Sequence, residues 1–346
     1  MDWMIYGASG YTGQLIAELA KAKGRAPILA GRSEDKVRPL AERLGLPWRA
    51  FPLEKPRLEG VGLVLHCAGP FSQTSRPMVD ACLAARAHCL DVTGEVEVFE
   101  AVLSRDAEAR ERGIVLLPGT GFDVVPSDCL AALLKQRLPG ATSLELAFAT
   151  RGRSSPGTLK TALENAPRGG LLRRGGKLVR VAPAAFVREI PFADQPRQAM
   201  SIPWGDLATA YRSTGIPDIT VFMAASPLAI RAAQLLRYGA PLLGLAPVQA
   251  FLRARIERQV KGPDVDQRAR GSGQFWGRVS TQAAGPAPQS VEMTMQIGDG
   301  YTLTAEAALE CAARVLASAV QPGAWTPSLA FGADFAASLP GVRIGT

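Results

Sequence analysis

Gly7, Gly10 and Gly13 lie between two segments of different period. Before them, Asp2-Trp-Met-Ile-Tyr6 is a short apolar run of strand length. After them, Leu15, Ile16 and Leu19 recur at helical spacing. A strand, a glycine turn and a helix in that order form the context in which such a run binds a dinucleotide. Each glycine has its own task. Gly7 permits the tight turn off the strand, Gly10 lets the backbone close on a pyrophosphate, and Gly13 lets the helix pack tightly on the sheet. Ser9, Gly10, Tyr11, Thr12 and Gly13 are therefore the expected phosphate cradle, its helix amides aimed at the anion with the helix dipole behind them.

A second strand, Pro27-Ile-Leu-Ala30, runs into Gly31-Arg32-Ser33. An acidic residue at this place would hold the ribose 2′-hydroxyl of NAD. Arg32 stands there instead, with Ser33 next and Lys36 one turn on. A guanidinium grips a 2′-phosphate through paired hydrogen bonds and stacks on adenine, so the cofactor expected is NADP(H).

The alternation of strand and helix continues. Trp48–Phe51, Gly62–Cys67, His88–Val92 and Ile114–Pro118 read as further strands, the Gly62–Cys67 run apolar as buried parallel strands are. Ser75 with Pro77 reads as a helix start. One helix is expected from Glu95 to Arg112, acidic early, basic late and stopped by Gly113. In an open α/β sheet, ligands lie outside the carboxyl ends of the strands. Small and polar residues gather at those ends: Ala68-Gly69-Pro70-Phe71, Thr93-Gly94-Glu95 and Gly121-Phe122-Asp123. Ala68, Gly69, Pro70, Phe71, Thr93, Gly94 and Phe122 are thus expected to line the cofactor. Asp123 and Glu95 are the candidate catalytic acids, against their plainer readings as a loop-fixing residue and a helix-start charge. Asp91 reads as a structural carboxylate, and His66 as core.

These segments resemble the saccharopine dehydrogenase-like family, which includes saccharopine reductases and trans-acting enoyl reductases. The carrying residues are Tyr6-Gly-Ala-Ser-Gly-Tyr-Thr-Gly13, Ala30-Gly-Arg32, Cys67-Ala-Gly-Pro-Phe71, His88-Cys-Leu-Asp-Val-Thr-Gly-Glu95 and Gly119-Thr-Gly-Phe-Asp-Val-Val-Pro-Ser-Asp128, with Gly298-Asp-Gly-Tyr301 and Pro322-Gly-Ala-Trp-Thr-Pro327 near the end. The resemblance implies an N-terminal Rossmann domain with a doubly wound parallel sheet, a second α+β domain with a mixed, largely antiparallel sheet, and NADP(H). It does not fix the substrate.

The expected domains are 1–135 for the dinucleotide and 136–321 for substrate and dimerisation, with 322–346 packing back on the first. In the second, Thr142–Thr150, Lys177–Val181, Gln198–Pro203, Ile219–Ala224, Ser272–Gln282 and Ser290–Ile297 read as strands. Thr304–Ala319 reads as a helix, and Gly262–Gly273 as a polar, charged, mobile loop. The apolar stretch from Met223 to Leu252 is broken by Pro227, Arg231, Arg237, Pro241 and Pro247, so it forms short amphipathic helices and does not span a membrane. Those helices are core, a substrate lid or a membrane-surface face.

Composition removes several classes. The 346 residues carry a net charge of +8, yet no basic helix or Cys/His finger accompanies it, so nucleic acid is not an expected partner. Five cysteines form no CxxC pair and there are two histidines, so no metal site is expected. The first strand starts at Trp3, leaving no room for a signal peptide, and a reducing cytoplasm is the expected location. No Tyr is followed by Lys four residues on, and GxSxG and HExxH are absent. An NADP-dependent oxidoreductase remains, transferring hydride to a C=C or C=N bond of a small or carrier-bound acyl substrate. The alternative is a non-catalytic NADP-binding or membrane-associated protein of the same fold. Basic Arg151–Arg188 suits an anionic carrier, while Arg151, Arg153 and Lys160 would suit an amino-acid imine. A homodimer through the antiparallel sheet is expected.

Overall fold

The computed structural model describes residues 2–243, 245–281 and 289–345. It divides into two compact units: residues 1–125 with 301–332, and residues 126–300 with 333–346. The sequence boundaries at 135 and 321 fall elsewhere, because the helix of residues 300–316 groups with the first unit.

The first unit is built on a parallel sheet. Its strands are β1 (Asp2–Tyr6), β2 (Ile28–Gly31), β3 (Trp48–Ala50), β4 (Val61–His66), β5 (His88–Asp91) and β6 (Val115–Leu117), with β15 (Gly323–Ala324) added late. The order is β15-β6-β5-β4-β1-β2-β3. This is the doubly wound order with one strand appended, and the order reverses between β1 and β4. The expected Rossmann sheet is borne out. Every residue of β4 is buried, and four of the five in β1. Helices cover both faces of such a sheet, so its strands need apolar side chains on both sides. The connecting helices are α1 (Tyr11–Ala22), α2 (Glu34–Leu44), α3 (Phe71–Ala85), α4 (Val96–Leu103) and α5 (Asp106–Arg112).

Two details differ from the expected pattern. The helix foreseen from Ser75 starts four residues earlier, at Phe71, and Pro77 lies inside it. A carboxylate distant in sequence satisfies its first amides, so no local cap was needed to start it. The helix foreseen from Glu95 to Arg112 is two helices, broken at Ser104 and Arg105. Gly113 ends the second at φ 70°, the left-handed conformation glycine adopts without strain.

The second unit holds a nine-stranded mixed sheet. Its strands are β7 (Ser143–Arg151), β8 (Gly170–Arg174), β9 (Lys177–Val181), β10 (Val187–Pro191), β11 (Pro196–Ser201), β12 (Asp218–Ala224), β13 (Ser272–Ser280), β14 (Ser290–Ile297) and β16 (Arg343–Gly345). The path runs β10-β11-β12-β7-β13-β14-β16, with β8 and β9 attached at β12. Only the β12–β7 pair is parallel, so the expected mixed, largely antiparallel sheet is present. Along β14, Met293, Met295 and Ile297 are buried while Glu292, Thr294 and Gln296 are not, the alternation its sequence carries. Gly277 of β13 admits α6 (Val125–Arg137): a Cβ there would lie 2.6 Å from the Leu134 side chain.

The segment 322–346 is divided. β15 joins the first sheet beside β6, and β16 joins the second beside β14. The glycine- and arginine-rich stretch within the basic Arg151–Arg188 segment supplies β8. There Arg173 is buried, its guanidinium hydrogen-bonded to the carbonyls of Leu207 and Gly176 (2.5 and 2.7 Å). The segment expected to be a mobile loop contains α11 (Val265–Ala269), closed by a reciprocal capping box between Asp264 and Gln267. The remaining helices are α7 (Pro156–Asn165), α8 (Asp206–Thr214), α9 (Pro227–Leu243), α10 (Ala246–Gln259), α12 (Gly300–Leu316) and α13 (Pro327–Phe331). No helix of the described residues is long and apolar enough to cross a membrane.

Candidate nucleotide site

The glycine turn has the construction its spacing implies. Gly7 has φ 86°, and a Cβ there would lie 2.7 Å from the Ala68 nitrogen, so the turn touches the end of β4. The amides of Gly7 and Ala8 both donate to the Ala30 carbonyl (2.8 and 3.0 Å), which ties the turn to β2. A Cβ on Gly13 would be 2.3 Å from the Gly7 oxygen, so only glycine lets α1 come this close to the turn. Gly10 is the N-cap of α1; no side chain caps this end and no acidic residue stands in its first turn. Ser9 and Gly10 are exposed, Tyr11 and Thr12 half-buried. The first amides of a helix have no intrahelical partner, so this end offers donors and the positive pole of the dipole to an anion.

Arg32 follows β2 and is exposed. Among the described residues, no hydrogen bond or ion pair engages its guanidinium, whereas the nearby Arg38 is held by Glu34 (3.2 Å). Ser33 is the N-cap of α2. Beneath them, the Tyr6 hydroxyl donates to the Phe51 carbonyl at 3.0 Å. Burial pushes the Tyr6 phenol up, and the Arg32 charge pulls it partly back.

At the end of β4, His66 is buried between Tyr6 and Phe71, with ring centroids 5.7 and 5.4 Å away. Burial lowers its pKa to about 3, so the ring is neutral. The Thr74 hydroxyl lies 2.6 Å from the Ala68 carbonyl, to which it donates, and 3.0 Å from His66 Nε2. The Nε2–H tautomer is the one that satisfies both contacts. Thr74 thereby pins the Ala68–Phe71 segment to the strand beneath it.

The ends of β5 and β6 are joined by carboxylates. Asp91 is buried, and its Oδ1 accepts the amides of Thr93 (3.0 Å) and Gly119 (2.9 Å). Burial raises its pKa to about 7 against the pull of those two amides, and the Glu95 charge adds to the rise. Glu95 is also buried. Its two oxygens accept the amides of Phe71 (3.0 Å) and Ser72 (2.9 Å), so it caps α3 across 24 residues of sequence. Asp123 is half-buried against Gly94, where a Cβ would be 2.6 Å from Asp123 Oδ2. Burial, then the Glu95 charge, raises the Asp123 pKa to about 7. The Phe122 amide donates to Thr304 Oγ1 at 3.0 Å. Among the described residues, no cluster of His, Cys, Asp and Glu could hold a metal.

The structure thus links the sequence candidates at the ends of β1, β4, β5 and β6 through direct contacts. It places Arg32 at the end of β2, in the same sheet beside β1. Asp91 is the structural carboxylate the sequence suggested, bonded to loop amides, and His66 is core as read; Thr74 was not singled out, because its part depends on contacts between strand ends that spacing does not encode. In the second unit, Arg151 pairs with Asp194, Lys160 pairs with Glu257, and Tyr211 lies under the Arg173 guanidinium at 4.2 Å. A depression of about 600 Å³ lined by Pro56, Leu58, Val61, Ala81 and Arg86 sits at the amino end of β4. It is therefore on the opposite edge of the sheet from the glycine turn and is no part of the nucleotide crevice.

Strand order, glycine turn and open helix end define a dinucleotide-binding domain of the Rossmann class. Residues 3–117 match the family model described as the saccharopine dehydrogenase NADP binding domain, and the resemblance seen in the sequence holds for this domain. The saccharopine dehydrogenase-like oxidoreductase of Mus musculus is 26% identical over 231 residues, 54% of this chain and 54% of that protein. The trans-acting enoyl reductase of Mycobacterium leprae is 32% identical over 150 residues, 40% of this chain and 36% of that one. The chain spans about half the length, or less, of these curated relatives. The saccharopine dehydrogenase (L-Glu forming) of Saccharomyces cerevisiae shares the fold with a TM-score of 0.66 at 11% identity, and all of both chains is covered.

Proposed function

We propose that this chain is an NADPH-dependent reductase acting on a C=C or C=N bond. The observation that carries the reading is Arg32, a cation without an internal ion pair among the described residues, set beside the open N-terminus of α1. The residues fit a 2′-phosphorylated dinucleotide: glycine at the turn, donors at the helix end, and a guanidinium where NAD enzymes carry a carboxylate. Ser9, Gly10, Tyr11, Thr12 and Gly13 would hold the pyrophosphate, Arg32 and Ser33 the 2′-phosphate, and the Ala68–Phe71, Thr93–Gly94 and Phe122 segments the remainder. When bound, the nicotinamide supplies hydride.

Asp123 is the residue we assign to the proton. A carboxyl with a pKa of about 7 is partly protonated at neutral pH, which suits a general acid. Glu95 takes a positioning part, because both its oxygens are engaged by the start of α3. Of the two bond types we favour the enoyl substrate. Lys160 is engaged by Glu257 and Arg151 lies 3.6 Å from Asp194, which leaves two of the three candidate carboxylate holders of an amino-acid imine with internal partners.

The test is a fluorescence titration with NADPH and NADH in parallel, followed by single-turnover assays with enoyl and imine substrates. Binding of NADPH with a strong preference over NADH is expected, as is oxidation of NADPH by an enoyl thioester. Equal affinity for both nucleotides would sink the Arg32 reading. Asp123→Asn should lower kcat and leave NADPH affinity unchanged; unaltered turnover would remove Asp123 from the chemistry.

A further inference from the structure

We propose that α9 and α10 dock the second unit on an anionic lipid surface. This rests on observations separate from the nucleotide site. The helices follow one another with a single residue between Leu245 and the end of α9. Neither behaves as a core helix. α10 has no buried residue, and neither does α7, the helix that it packs against. Of the described α9 side chains only Ile230 is buried.

What the pair exposes is apolar. Leu228 is 78% exposed, Leu235 64%, Tyr238 71%, Leu245 50% and Phe251 64%. Leu228, Leu235 and Tyr238 stand seven and three residues apart, a spacing that places them on one side of α9. Scattered exposed leucines are ordinary on a protein surface; three large apolar side chains on one side of a helix, with Leu245 and Phe251 exposed in the segment that follows, are not.

Charge selects the occupant. From Pro227 to Lys261 the chain carries Arg231, Arg237, Arg253, Arg255, Arg258 and Lys261 against one carboxylate, Glu257, which Lys160 engages. Arg231, Arg255, Arg258 and Lys261 are exposed. A second copy meeting this face across a two-fold axis would set like charges against like. Exposed Leu, Tyr and Phe beside Arg are the composition with which a helix lies in a lipid headgroup layer, its apolar side chains reaching the acyl boundary and its cations on acidic phosphates. No described helix crosses a membrane, so the contact is peripheral.

Flotation of the full chain with vesicles tests this. Vesicles of phosphatidylcholine mixed equally with phosphatidylglycerol should carry the protein, those of phosphatidylcholine alone about tenfold less, and high salt should reduce the first. Leu235→Ser with Phe251→Ser should weaken binding about tenfold or more at an unchanged melting temperature. Arg255→Gln with Arg258→Gln should weaken binding to the anionic vesicles alone, by about tenfold. Absence of binding to the anionic vesicles, or both pairs of variants floating as the wild type does, overturns the proposal. So does a dimer in light scattering that the serine pair dissolves while vesicles are ignored, since the face would then belong to a second copy. NADPH binding by these variants should be unaltered, which separates failure here from failure of the reductase reading.

Discussion

The N-termini of α1 and α3 pose one electrostatic problem and solve it in opposite ways. Both helices follow strands of the parallel sheet, and neither has an acidic residue in its first turn. At α3 the protein supplies the anion itself: Glu95 takes the amides of Phe71 and Ser72. At α1 no side chain caps the end, and the residue at the cap is Gly10. The same backbone donors are thus used once for architecture and, in the function proposed above, once for a ligand. A helix end with an internal carboxylate is structural, and one with a bare glycine is open to an anion.

Placing a carboxylate at α1 tests the contrast most severely. Gly10 has an extended backbone, φ −75° and ψ 163°, that an N-cap aspartate adopts freely. Gly10→Asp should abolish most NADPH binding, a loss of several kcal/mol, about 3 or more, from like charges at close range. Thermal stability should hold or rise slightly; retained NADPH affinity would show that the α1 end is not the phosphate site. Removing the carboxylate from α3 comes next. Glu95→Ala should cost about 2–3 kcal/mol in urea unfolding, because two charge-assisted hydrogen bonds are lost at a buried helix end. Glu95→Gln keeps an acceptor and should cost less; equal costs would mean that the charge is immaterial there.

Arg32→Ala addresses the cation beside α1. It should weaken NADPH by about 2 kcal/mol and leave NADH nearly unchanged, read in competition titrations. The last prediction concerns pH. The folded-state pKa of Asp91 is raised to about 7, so the folded chain holds this proton more tightly than the unfolded chain does. Its contribution to stability is full in acid and lost as pH rises from the ordinary carboxylate value toward 7. Asp91→Asn retains an Oδ1 acceptor for Thr93 and Gly119 and should flatten that slope. An unchanged slope would assign it to another group.

Much of this contrast was written in local sequence. Gly7, Gly10 and Gly13 between two periodicities announce the open end, and Arg32 after an apolar strand announces its ligand. The closed end was not legible. Glu95 begins a helix of its own, so its charge reads as serving α4, while the amides it satisfies belong to residues 24 positions earlier. The start of α3 was missed for the same reason, since a helix capped from a distance carries no local signal. β8 was hidden by its arginines; the burial of Arg173 against carbonyls is a tertiary fact that composition does not carry. α11 was hidden by length: five residues show no periodicity, although Asp264 and Gln267 spell its capping box.

The chain leaves the first unit at Val125 and re-enters it at Tyr301. Because synthesis runs from the N-terminus, a nascent chain has six of the seven parallel strands long before β15 and α12 exist. Until then β6 is an open sheet edge. Most of the nucleotide domain is translated before the unit inserted within it but completed only after that unit, so its time of vulnerability on the ribosome is set by the length of the insertion.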